Sequence, residues 1–364
     1  MTSTTVAFYI SGHGYGHASR AIEVMNALAA RLPELHFCIR TTAPRWLFDL
    51  NLRAAHTYAN VQVDVGAVQQ TSFEIDKSET LRQWQAFLAQ KPTWLNRELP
   101  FLRQAEARLL LGDIPPLAFE LARHAGVPSV AIANFSWDWI FASYVAELPA
   151  FAEVIEAIRE GYGMADLLLR LPMHGDLSAF PRSVDIPLIA RNPRPASPEV
   201  RQRLGVPGAR PEPLVLVAFR AADLRAVDLE RAFAAPAFRF VTLGLPGNLP
   251  ANVVNLATDE IPFAELLTAC DLVLSKPGYG LVADVIAARK PLLYTSRDDF
   301  AEYDVLVRGL QAYATSAFIP REAFFRGAWS PYLEELHRQA PHWPEVALDG
   351  ATRAAEIILK RLPT

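Results

Sequence analysis

The chain is poor in sulfur, with two cysteines and four methionines in 364 residues. So few cysteines exclude a disulfide framework, and Cys38 and Cys270, in or beside apolar strand-like segments, read as buried free thiols. No apolar run reaches the roughly 18 residues that a membrane span requires. Positive charge is not in excess: 35 Lys and Arg against 39 Asp and Glu leave a net charge of −4. That balance leaves no electrostatic footprint for nucleic acid or an anionic membrane. The opening MTSTTVAFYI lacks a basic region and runs straight into a strand, so no signal peptide is expected and a cytoplasmic location is. Low-complexity tracts, heptads and short repeats are also missing. What remains is an ordinary globular composition, 51% hydrophobic and 20% charged. The length exceeds what one core usually supports, so two domains are expected.

Strand and helix patterns alternate from the start. After VAFYI (6–10) come LHFCIRTT (35–42), VQVDVG (61–66), RLLLGD (108–113), SVAIANFS (129–136) and DLLLRLP (166–172). Helical patterns fill the gaps, a long one over about 78–107 and another at 115–125. Such alternation predicts a parallel sheet covered on both faces. Residues 173–213 break it with eight prolines around the strand-like DIPLIA, which reads as an interdomain connection. A second series follows in PLVLVAF (213–219), FRFVTL (238–243), NVVNL (252–256), DLVLS (271–275) and PLLYT (291–295). The expected architecture is α/β: two doubly wound, Rossmann-like domains, 1–185 and 186–345, facing a cleft. A last helix, within 346–364, returns to the first domain.

The densest signal lies between Val6 and Leu28, where a buried strand leads through SGHGYGH into a helix bearing Ile22, Met25 and Leu28 on one face. Glycines in such a turn, here Gly14 and Gly16, let backbone approach a ligand and aim helix N–H groups at it. No Gly-Lys-Ser/Thr follows, so this is not a P-loop. The spacing is G-x-G-x-G, and the second strand ends at Arg40-Thr41 without the acid a dinucleotide ribose needs, which argues against hydride transfer. His13 and His17 read either as turn and cap residues or as a base in the crevice. Asp113, at the end of RLLLGD, caps the next helix or partners His17, fixing its tautomer.

In the second half, LSKPGYGLVADV (274–285) places Ser275, Lys276, Gly278, Tyr279 and Gly280 at a helix N-terminus suited to a pyrophosphate. Asp284, one turn on, is positioned for ribose hydroxyls. TSRDDFAEY (295–303) sets Asp298, Asp299 and Glu302 on the same rim, as sugar-hydroxyl acceptors or a solvated acidic loop; a metal signal there is weak. In NFSWDWIF (134–141), Asn134, Trp137 and Asp138 suit carbohydrate recognition, with core packing of Trp137 and Trp139 as the competing reading.

SGHGYGHASRAIEV, AGVPSVAIANFSWDWIFASY, DIPLIARNPRP and SKPGYGLVADVIAARKPLLYTSRDDFAEYDVLVR together cover much of the chain. It resembles the GT-B-fold nucleotide-sugar glycosyltransferases and is especially similar to the glycosyltransferase-like N-terminal half of plant L-arabinokinase. The resemblance implies that His17, after Gly16, is the base, with Asp113 as its partner. It also implies a donor loop at Ser275–Pro291, with Asp284 in place of the family's usual glutamate. VAFRAADL departs by lacking the usual glycine-bearing loop, and Arg220 stands there as a substitute charge. The implied activity is inverting, metal- and cofactor-independent transfer from a nucleoside-diphosphate sugar, UDP by family habit, to an unidentified hydroxyl acceptor. His13, Asn134, Trp137 and Asp138 would hold that acceptor. Two alternatives share the donor loop: a GT-B-fold sugar 2-epimerase, and a catalytically silent nucleotide-sugar-binding protein. The kinase chemistry of arabinokinase belongs to a half absent from this sequence.

Overall fold

The computed structural model describes residues 4–205, 212–297 and 300–363. The first half holds β1 (Thr4–Ile10), β2 (Leu35–Thr41), β3 (His56–Asn60), a hairpin of β4 (Gln69–Thr71) and β5 (Glu74–Ile75), β6 (Leu109–Asp113), β7 (Ser129–Ala133), β8 (Leu167–Arg170) and β9 (Ser183–Asp185). Hairpin aside, these form a parallel sheet in the order β3-β2-β1-β6-β7-β8-β9, with Val6 between Phe37 and Leu109. Helices cover both faces, which is why Val6–Ile10 is an unbroken buried run. The second half holds β10 (Leu214–Val217), β11 (Arg239–Leu243), β12 (Val253–Leu256), β13 (Leu272–Ser275), β14 (Leu292–Tyr294) and β15 (Ser316–Phe318). They are parallel in the order β12-β11-β10-β13-β14-β15. In each sheet the winding reverses beside the first strand, between β1 and β6 and between β10 and β13. Crevices open beyond the carboxyl ends of these pairs.

Three expectations from the sequence fail locally. VQVDVG (61–66) is not a strand. The indole N–H of Trp94 donates to the Gln62 carbonyl at 2.9 Å and that of Trp84 to the Gly66 carbonyl at 2.8 Å, taking acceptors that a ladder would have used. The 78–107 helix is two helices, Lys77–Ala89, capped by Asp76, and Lys91–Gln104, which begins with Pro92 in its first turn. DIPLIA is likewise irregular after β9, though Leu188 and Ile189 are buried. The final helix, Gly350–Leu359, packs on the first, Gly16–Ala29, with Leu28 and Ile358 in one apolar cluster and Arg31 bonded to Glu356 at 3.1 Å.

The hairpin crosses between the halves. Phe73, 1% exposed, enters an aromatic cluster of Phe219, Phe324 and Phe325, with ring centroids 5.8, 5.6 and 5.1 Å away. Beside it the Ser72 backbone N–H and hydroxyl donate to the Asp223 carboxylate at 2.7 and 2.6 Å. Among the described residues no helix is long and apolar enough to cross a membrane.

Candidate active site

A cavity of about 840 Å³ lies between the two sheets, lined by the loops after β1, β7, β10 and β13. Two helices begin at its floor: Gly16–Ala29 from the first half and Tyr279–Ala288 from the second. They meet closely, since a Cβ on Gly280 would lie 3.4 Å from Gly16 Cα. The unpaired N–H groups and positive dipole ends of both therefore converge on one region.

His17 sits in the first turn of its helix, 6% exposed, with Nδ1 2.7 Å from Asp113 Oδ1. Burial alone would raise the Asp113 carboxyl, but Arg20 and then His17 outweigh it and hold it below its usual value. An ionised carboxylate only accepts, so Nδ1 carries the proton and Nε2 is left as the basic nitrogen. Arg20, one turn further along the helix, grips the same carboxylate through Nε at 2.8 Å and a terminal nitrogen at 2.6 Å. Its other terminal nitrogen donates to Asn134 Oδ1 at 2.9 Å, and the guanidinium lies 5.2 Å from the centre of the Tyr279 ring. Arginine only donates, so the Asn134 oxygen must face it. Asn134 Nδ2 is thereby turned away, buried and without a hydrogen-bond partner.

The same wall carries Asp64, 6% exposed and facing the cavity. Burial raises its carboxyl, against the Ser11 hydroxyl, His17 and the Trp137 indole N–H, which donates at 3.0 Å. Trp137 lines the cavity, but it is 1% exposed with Phe141 stacked on its ring, so it offers no open face and acts on the site through Asp64. This corrects the expectation of a stacking platform. Asp138 also departs from expectation: its helix turns it away from the cavity toward Arg159, 3.8 Å distant. His13 does line the cavity. Burial, then the neighbouring His17 and cations, pushes it down to about 3, which keeps it neutral at physiological pH. Ala67 N–H donates to its Nδ1 at 3.3 Å, and Gly66 leaves it room, since a Cβ there would fall 2.6 Å from that nitrogen.

Across the cleft, Lys276, Arg297 and Arg220 gather near the start of Tyr279–Ala288. Burial, then repulsion from Arg297, pushes Lys276 down to about 7. Burial likewise lowers Arg297 to about 10 against the pull of Glu302, whose Oε1 lies 3.4 Å away. Arg297 also donates to the Ser72 carbonyl at 3.1 Å, and Arg220 to the Ser72 hydroxyl at 3.1 Å and to Asp223. Ser275, Gly278, Tyr279, Gly280, Gly14 and Glu302 line the cavity as the sequence suggested, although the Ser275 hydroxyl donates to the Ala218 carbonyl at 2.7 Å. Asp284 does not line it. Its carboxylate accepts the Arg191 backbone N–H and Nε, each at 2.8 Å, so it ties the connecting segment to the helix and is unavailable to a ribose. Asp298 and Asp299 lie outside the described residues. Sequence reasoning missed Arg20, Asp64 and Arg297. Only Arg20 carried a usable signal, standing three residues after His17 on one helix face.

No family model matches the chain. It is 30% identical to L-arabinokinase of Arabidopsis thaliana over 357 residues, 97% of this chain but 34% of that protein, in its N-terminal region. It therefore spans about a third of that relative's length. Among solved structures it resembles the glycotransferase of kitacinnamycin, with TM-score 0.64, 16% identity and 99% of each chain covered. It also resembles a UDP-glucosyltransferase from Polygonum tinctorium, with TM-score 0.62, 14% identity and 99% of each chain covered. A third likeness is the glycosyltransferase VinC in complex with DTDP, with TM-score 0.59, 16% identity, and 99% of this chain and 96% of that one covered. The fold is GT-B. In a GT-B frame the first domain presents the His17–Asp113 pair and the second presents the cationic helix start, toward one shared cleft.

Proposed function

We propose that the protein is a cytoplasmic, inverting, metal-independent glycosyltransferase, with acceptor held by residues 1–185 and nucleotide sugar by 186–345. The supporting observation is the buried His17–Asp113 pair opposite Lys276, Arg297, Arg220 and the start of helix Tyr279–Ala288, across one cavity. His17 Nε2 takes the proton as the acceptor hydroxyl attacks the anomeric carbon. The bond from that carbon to the diphosphate oxygen breaks, and the leaving diphosphate is met by the cations and helix N–H groups. One displacement inverts the anomeric centre, and Asp113 stabilises the imidazolium. UDP is the proposed nucleotide, by likeness to the UDP-glucosyltransferase.

The test uses UDP-glucose, following sugar released to acceptor or to water. His17→Ala should lose about 10²–10⁴ in turnover, the usual worth of a general base, with UDP affinity little changed. Asp113→Asn should move the same way, and EDTA should have no effect. Near-normal turnover by His17→Ala would remove the base assignment.

A further inference from the structure

We infer that the pocket beside His17 takes a small, neutral, polyhydroxylated acceptor, bound by one hydroxyl to Asp64 and by another to Asn134 Nδ2. The inference rests on the transferase reading for the word acceptor; the pocket's chemistry stands on its own groups. Asn134 is 1% exposed, lines the cavity, and has a donor with no partner. A buried donor left unmade is costly, so a ligand oxygen at that point is strongly favoured. Its direction is not free, because Arg20 holds the amide oxygen at 2.9 Å. Arg20 is thus a positioning residue for the pocket. Asp64 supplies the opposite need. Its carboxylate takes the Trp137 indole N–H and the Ser11 hydroxyl and still has lone pairs free to accept a ligand donor.

One wall asking for both an acceptor and a donor is met by hydroxyl groups, which are both. Charge narrows the class further. Asp64 disfavours an anionic ligand in the pocket, while Arg20, Lys276 and Arg297 around the cleft disfavour a cationic one. His13, kept neutral, adds a ring nitrogen without charge. A flat aromatic acceptor fits less well, because Trp137, 1% exposed and stacked on Phe141, offers it no open ring face and such a ligand would leave both polar groups unpaired.

Saturation-transfer NMR on the full chain, with UDP present, tests this. The probes are L-arabinose, myo-inositol and glycerol, with 4-nitrophenol and gluconate as contrasts. At least one neutral polyol should receive saturation, and the contrasts should not. Asn134→Asp keeps the oxygen facing Arg20 and replaces the donor with an acceptor, so it should reduce the polyol signal at least tenfold. Asp64→Asn should do likewise while retaining an oxygen for Trp137. UDP binding should persist in both variants, which also reports that they are folded. Saturation of 4-nitrophenol or gluconate alone, or polyol signals unchanged in both variants, overturns the inference. Polyol binding without UDP binding would sink the donor reading and leave this one standing.

Discussion

Removing the Arg20 charge should reveal how the buried network is balanced. Asp113 is fully buried and receives Arg20 at 2.6 and 2.8 Å and His17 at 2.7 Å. Arg20→Met strips one partner from a buried pair, which typically costs about 3–5 kcal/mol because the surviving charge is left uncompensated. Asp113 then loses the charge that outweighs its burial, so its carboxyl is no longer held below its usual value. The sign follows from linkage. The lowered wild-type value gives stability that is complete above the ordinary aspartate value of about 3.9 and is lost as pH falls through the lowered one. The variant lacks that contribution, so its deficit is full from pH 6 upward and narrows in acid. Urea unfolding of both proteins at pH 8, 6 and 3.5 should show a deficit in Arg20→Met of about 3–5 kcal/mol at the upper two values and a smaller one at the lowest. A deficit under about 1 kcal/mol at pH 6 and 8, or one that widens in acid, would refute the argument.

Lys276, pushed down to about 7, is charged below that pH and neutral above it. The advantage of the wild type over Lys276→Met in UDP affinity should therefore fall as pH rises from 6 to 8.5, by at most about tenfold per unit, as read by titration calorimetry. An advantage independent of pH would place the diphosphate elsewhere. Phe73→Ala should destabilise by about 3–5 kcal/mol in urea, as for other fully buried phenylalanines, and a loss under 1 kcal/mol would mean that the hairpin merely rests on the second domain.

The legible parts were those where function lies within a few residues of its own strand. SGHGYGH between β1 and its helix, Asp113 at the end of β6 and KPGYG after β13 each announce a crevice through local turn chemistry, and the alternating pattern supplies the sheets that set them side by side. What escaped depends on partners far away in sequence. Asp284 looked like a ribose ligand because nothing near it reveals Arg191, 93 residues earlier. Trp137 and Asp138 looked like one recognition patch, yet consecutive helical residues point in different directions, so Trp137 meets the cavity wall while Asp138, also buried, turns toward Arg159. Asp64 was hidden by reading its segment as a strand, when two indole N–H groups hold that backbone in an irregular course.

The hairpin of β4 and β5 bears on how such a protein can be recombined. Its tip supplies an aromatic side chain to the core of the other half and a carbonyl to Arg297 at 3.1 Å, so the second half is completed by residues 69–75 of the first. A chimera cut at the connecting segment, joining this second half to a foreign first half, would inherit a hole among Phe219, Phe324 and Phe325 and an Asp223 lacking its serine. The second half is therefore not a transplantable cassette. Any graft must carry the seven-residue arm along with the domain that the arm completes.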